Sequence, residues 1–174
     1  MAFEPAWRAS NWGHPDAMLL LVFQIGRDRY ALEARQAVEV VPFLALKRIP
    51  QAPRGIAGIF NYRGRPVPAI DLSELTLGRS SSERLSTRII VLRFEHPEEP
   101  AHVRLLGLIA ERTTGLMRYD EREFVDSGVG AGGTPYLGPV LVDDKGVIQL
   151  LRTQHLLTEG VRDLLFGAPA RVQP

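Results

Sequence analysis

The chain of 174 residues contains no cysteine. Disulfides, thiol nucleophiles and thiolate metal sites are thereby excluded. Lysine is scarce: Lys47 and Lys145 stand alone among 21 basic residues, and the rest are arginines. Arginine presents a planar fork that suits ion pairing with carboxylates. No sign of charge dominates, because 20 acidic residues leave a formal net charge of +1. A protein that holds nucleic acid through a strong positive field needs a clear basic excess. The longest apolar run covers residues 17–23, far short of the roughly 20 residues of a membrane-spanning helix. The first residues include Glu4, Pro5 and Asp16, with no basic leader ahead of an apolar stretch, so no secretory signal is expected. No internal repeat is visible at the level of residue identity.

What the chain does have is enough apolar side chain, 45% of residues, to offset the entropy of ordering. That material is arranged in short extended segments. Leu19, Leu21, Phe23 and Ile25 alternate with Leu20, Val22 and Gln24, which predicts a strand with apolar residues on both faces. A turn at 26–28 leads into a second strand at 30–32, and 37–41 forms a third that Pro42 stops. Residues 53–64 carry Gly55, Gly58 and Gly64 at close intervals, a sign of close backbone approach or positive φ. Residues 65–72 are extended. Pro66 and Pro68 place that strand on an edge, or at least leave its N–H side unpaired. Asp71 is a candidate N-cap for a helical turn over 72–77 that ends at Gly78.

A polar loop, expected to be mobile, follows at 78–86, then a strand at 87–94 buried on both faces. A turn at 96–100 leads to its hairpin partner at 103–111, with Gly107 in the middle. Residues 120–135 read as a long loop. Residues 140–142 and 147–151 form a hairpin, and 153–166 a closing helix weakened or split by Gly160. About nine short, closely spaced strands argue for a barrel or sandwich. Residues 1–16 form an irregular extension holding Trp7 and Trp12. They are either a tail whose rings fold onto the domain or a partner-binding segment with two aromatic anchors. Residues 17–166 are the domain, and 167–174 a frayed tail.

Catalytic constellations are not found. His14, His96, His102 and His155 lie far apart and none has a partner at metal-ligand spacing, although His96 and His102 could face each other across a hairpin. The run Gly128-x-Gly130-x-x-Gly133 matches a dinucleotide loop in letters. It neither follows a strand nor opens a helix, and Thr134-Pro135 comes next. The acidic cluster Asp120, Glu121 and Glu123 lacks the marks of a cleft with split pKa values. Ser80, Ser81 and Ser82 sit in no nucleophile elbow. No catalytic residue, metal or cofactor is assigned, which favours a binding protein over an enzyme. One binding reading is a small β-barrel nucleic-acid-binding module that uses Arg54, Arg63, Arg65 and Arg79 with Phe60 and Tyr62 as stacking rings.

The segment from Gly58 through Asn61, Tyr62, Arg63 and Gly64, followed by Val67-Pro68-Ala69-Ile70-Asp71-Leu72, resembles the signature block of CheW-like coupling proteins. The likeness extends to the opening hairpin around Leu20 and Tyr30, to Val38-Glu39-Val40, to Leu106-Gly107-Leu108-Ile109, and to the closing hairpin and helix, covering 18 to about 158. The resemblance implies an all-β fold with short helices: two SH3-like five-stranded β-barrel subdomains around a shared hydrophobic core, with a C-terminal helix. It further implies a cytoplasmic, non-catalytic scaffold associated with membrane receptor arrays. One surface would bind the cytoplasmic tip of a chemoreceptor and another the regulatory domain of a chemosensory histidine kinase. Self-association in arrays is also implied, and neither nucleic acid nor direct membrane insertion is. The partner-binding residues it suggests are Val38, Glu39, Gly58, Ile59, Asn61, Arg63 and Gly107.

For Val38 and Ile59 core packing is the competing account, and for Gly58 and Gly107 it is tight turns within the chain. Glu39 and Arg63 are expected to pair or to flank one surface. Departures from the family pattern are Tyr62 in place of leucine, Ala110-Glu111 in place of valine and aspartate, the N-terminal extension with its two tryptophans, and the glycine-rich loop at 128–134. They suggest a specialised surface-sensing or second-messenger setting.

Overall fold

The computed structural model describes residues 17–96, 99–128 and 132–167, apart from the side chains of 96 and 99–102. The extension at 1–16, the core of the turn at 96–100, the centre of the glycine-rich loop and the tail lie outside the described residues. So do the two tryptophans. Of His96 and His102 only the backbone is described, and across the turn His96 stands opposite Glu99, not His102.

Two five-stranded sheets make up the molecule. The first has the order β8-β1-β2-β10-β9, built from β1 (Ala17–Ile25), β2 (Asp28–Glu33), β8 (Arg112–Asp120), β9 (Leu137–Asp143) and β10 (Gly146–Leu151). The second has the order β3-β6-β7-β5-β4, built from β3 (Ala37–Pro42), β4 (Ile56–Tyr62), β5 (Arg65–Asp71), β6 (Arg88–His96) and β7 (Glu99–Ala110). The chain therefore starts the first sheet, builds all of the second, and returns to finish the first. Most neighbours are antiparallel; β2 with β10 and β5 with β7 are the parallel pairs.

Each sheet curls until chain beyond one edge strand reaches the opposite edge. After β3, Lys47 exchanges two backbone hydrogen bonds with Ile59 of β4, both 2.8 Å. After β8, Val125 does the same with Val140 of β9, at 2.8 and 2.9 Å.

Three apolar clusters follow from the alternation along the strands. Leu20, Val22, Ala31, Leu141 and Ile148 fill the first sheet's own interior. Phe60, Val67, Ala69, Ile89, Val91 and Ile109 fill the second. Between the sheets lies the largest cluster, with Leu21, Phe23, Ile25 and Leu32 from one side and Ile70, Ile90, Leu92, Leu106 and Leu108 from the other. This is why β1 and β6 are apolar on both faces: successive residues point into different cores. The shared core expected between two subdomains is thus present.

β5 is flanked by both β4 and β7, so the edge placement suggested by its prolines does not hold. The alternative does. β7 pairs only with Ala69, Ile70 and Asp71, and Pro66 and Pro68 face β4 alone, opposite Asn61 and Ile59. A proline costs nothing where no partner strand asks for its N–H.

The helix α1 (Leu72–Leu77) begins at Asp71, whose carboxylate accepts from the amides of Ser73 and Glu74, and ends at Gly78 with φ of 72°. The loop after α1, expected to be mobile, is tied down: Ser81 donates to Asp71 through its amide at 2.7 Å and its hydroxyl at 2.6 Å. The closing helix is shorter than expected. A 3-10 turn spans Thr153–His155, and α2 (Glu159–Phe166) starts after the Thr158 cap, so the split falls ahead of Gly160.

Candidate functional site

Arg63 and Gly64 form the two-residue turn between β4 and β5. Both have positive φ, 51° and 81°, as a type I′ hairpin requires. Asn61 secures this turn by accepting the Gly64 amide at 2.8 Å. So placed, the Arg63 guanidinium reaches the Glu39 carboxylate at 2.9 Å and also lies over the Tyr62 ring, 5.3 Å from its centroid. The same carboxylate oxygen accepts the Tyr62 hydroxyl at 2.6 Å. Donating this hydrogen bond pushes the Tyr62 phenol pKa up. Glu39, Tyr62, Arg63 and Asn61 thus form one polar corner at the end of the second sheet, and the expected pairing of Glu39 with Arg63 is present.

Val38 belongs to a different surface. It is the extra residue at a register shift in β3, between Ala37 opposite Leu92 and Glu39 opposite Val91. Its side chain is 42% exposed, pointing away from the core that Val41 packs against. With Val40 it forms one wall of a groove of about 700 Å³. Leu19 of β1 and Leu116 of β8 line the other wall, and Glu33, Arg35 and Glu39 also border it. The groove therefore runs between the two sheets and is mainly apolar. Nothing in the sequence singles out Leu19 or Leu116 as surface residues. Leu19 shares a strand face with Leu21, Phe23 and Ile25, so its spacing predicts the core that takes those three, whereas Leu19, near the strand's start, is left 41% exposed.

Ile59 is half-buried, its backbone engaged with Lys47. Gly58 and Gly107 are buried, and the close approach each permits is made by the chain itself. A Cβ at Gly58 would stand 2.5 Å from the Lys47 carbonyl oxygen. One at Gly107 would stand 2.5 Å from Phe60 Cε1. The intramolecular account therefore explains both glycines. Among the remaining candidates, the structure brings Glu39, Asn61 and Arg63 together and sets Val38 on the adjoining groove.

The features proposed for stacking nucleic-acid bases do not assemble. Phe60 and Tyr62 are only 2% and 7% exposed. Arg63 pairs with Glu39, Arg79 with Glu111, and Arg54 donates to the Glu74 carbonyl at 3.3 Å. The acidic cluster at 120–123 is occupied in its own 3-10 turn, where Asp120 accepts from the Arg122 amide and Glu123 from the Asp120 amide. Among the described residues, no three His, Asp or Glu side chains are grouped to hold a metal ion. None of the described helices is long and apolar enough to cross a membrane.

Comparison with known proteins agrees with this architecture. The model of the family described as CheW-like domain matches residues 19–161. The chemotaxis protein CheW of Helicobacter pylori is 28% identical over 109 residues, covering 62% of this chain and 61% of the relative. That of Thermotoga maritima is 26% identical over 104 residues, covering 60% and 64%. The chain thus spans about three fifths of the length of these curated relatives. The crystal structure of the scaffolding protein TtCheW from Thermoanaerobacter tengcongensis shares the fold, with a TM-score of 0.72 and 24% identity over 87% of this chain and 95% of that one.

Proposed function

Since the chain belongs to the CheW-like domain family, we propose that it is a non-catalytic scaffold that couples a chemoreceptor to a chemosensory histidine kinase. The observation that carries this reading is the apolar groove between the sheets, walled by Val38 and Val40 on one side and Leu19 and Leu116 on the other. A helix laid in such a groove buries anchors spaced by helical turns. The cytoplasmic tip of the receptor is its occupant in this reading. The polar corner of Glu39, Tyr62, Asn61 and Arg63 borders it and orients the partner. The kinase regulatory domain, built from the same kind of barrel pair, docks elsewhere on the sheets. The setting is the cytoplasmic face of a receptor array, in a pathway specialised for surface sensing or a second messenger. Neighbouring copies would there add many weak contacts into one strong assembly.

The test is binding of a purified receptor cytoplasmic fragment to Val38→Asp. A buried carboxylate with no partner in an apolar groove is strongly unfavourable. The variant should bind at least about tenfold more weakly while unfolding at the same temperature, because Val38 already faces solvent in the free protein. Unchanged binding would overturn the assignment of the groove. Equal affinity for monomeric and clustered receptor would contradict the array reading.

A further inference from the structure

At the far end of α1, three segments meet around a second cavity of about 600 Å³. They are the β1–β2 turn, the loop after α1, and the crossing from β7 to β8. Four arginines line it: Arg27, Arg79, Arg84 and Arg112. Its remaining lining comprises Gln24, Gly26, Ser82, Ser86 and one acid, Glu111.

Glu111 is fully engaged. Its carboxylate accepts the Gly26 amide at 2.7 Å, the Arg79 guanidinium at 2.7 Å and the Ser73 hydroxyl at 3.2 Å. It thereby fastens all three segments and neutralises Arg79. Arg27, Arg84 and Arg112 are left with no side-chain partner among the described residues. Asp28 and Glu83 are near in sequence, yet neither lines the cavity. Three uncompensated guanidinium groups thus share one concave site in a chain whose overall charge is only +1. Such a concentration of like charge is unfavourable by itself and is relieved by an anion.

We infer that this cavity binds a small soluble anion carrying two phosphate groups. Guanidinium forks meet phosphate oxygens in paired, charge-assisted hydrogen bonds, and the Ser82 and Ser86 hydroxyls and the Gln24 amide add neutral donors. The cavity volume falls in the range of small-ligand sites, roughly 300–1,000 Å³, which favours a soluble diphosphate over an extended polymer or a bilayer. This inference is independent of the receptor and kinase reading, which concerns the groove by β3.

The experiment is calorimetric titration of the full chain with inorganic pyrophosphate at low salt. Saturable one-to-one binding is expected. Arg84→Ala and Arg112→Ala should each weaken it about tenfold or more, while Arg48→Ala, outside the cavity, leaves it unchanged. Circular dichroism of each variant establishes that it is folded. Absence of saturable binding, or equal affinity in the Arg84 and Arg112 variants, would overturn the site. Capture by phosphatidylglycerol vesicles or by a single-stranded oligonucleotide without pyrophosphate binding would overturn it too, in favour of a diffuse surface attraction.

Discussion

Tyr62 and Arg63, adjacent in sequence, converge on a single oxygen of Glu39, at 2.6 Å and 2.9 Å. The contact links β4 to β3, which are the two outer strands of the second sheet in its hydrogen-bonded order. It also explains what the unusual tyrosine of the signature block contributes, since its hydroxyl holds the carboxylate that the arginine needs.

Reversing the charge at Arg63 should separate binding from folding. The side chain is 73% exposed and its partner 37%, and an ion pair of that kind contributes only about 0–1 kcal/mol. Arg63→Glu is expected to melt within a few degrees of the parent while losing capture of the receptor fragment or the kinase regulatory domain. Pull-down with both partners checks this, and unaltered capture of both counts against a role for Arg63.

Gly107→Ala should be destabilising without touching any exposed surface. The new methyl would stand 2.5 Å from Phe60 Cε1 and 3.0 Å from Ile89 Cγ2. Overpacking of this sort costs about 1–3 kcal/mol. Urea denaturation measures the loss, and adding Phe60→Leu should recover part of it. An additive double variant would show that the ring is not the obstacle.

Asp71→Ala removes the acceptor for four donors, two at the start of α1 and two from Ser81. The carboxylate is buried, so the loss exceeds that of an exposed cap, and we expect about 2–3 kcal/mol. Amide hydrogen exchange should quicken together in α1 and at Ser81. Faster exchange confined to α1 would show that the loop is held by other contacts.

Acid should destabilise the fold over a defined window. The Arg79 hydrogen bond holds Glu111 at about 2, down from its usual 4.5. The Arg29 hydrogen bond likewise holds Asp143 at about 2, down from 3.8. With pKa values lower in the folded state, the unfolded chain binds more protons between about 4.5 and 2. Stability is therefore complete above that range and falls as pH drops through it. Urea midpoints at intervals across the window test this. The combined variant Glu111→Gln and Asp143→Asn should show a flatter slope there, and an unchanged slope would place the linkage on other carboxylates.

Much of the architecture is legible in the sequence because strand alternation is a local property. The double-sided apolar runs of β1 and β6 already imply two interiors for one strand, and Asp71 ahead of Leu72 implies a capped turn. β8 is hidden because its nine residues include Thr113, Thr114 and Gly115, with too little apolar side chain to mark a face. The proline pair in β5 is ambiguous, since sequence cannot tell an edge strand from one whose second neighbour pairs only beyond the prolines. At the candidate site, the residue types are readable but the groupings are not. Val38 and Glu39 both line the groove, but only Glu39 is tied to the β4–β5 turn through Tyr62 and Arg63, and the partners of Gly58 and Gly107 come from distant segments of the same chain.

The route of the chain has a consequence for how the molecule is made. The second sheet is contiguous, from β3 to β7, whereas the first draws on both ends of the domain. A ribosome releasing the polypeptide in order delivers a complete set of strands for the inner unit while β1 and β2 still wait for β8, β9 and β10. The opening hairpin must shelter its oily surface on that already assembled neighbour. The shared core is then a workbench on which the late-arriving half is put together, and damage to the inner unit would stall the outer one as well.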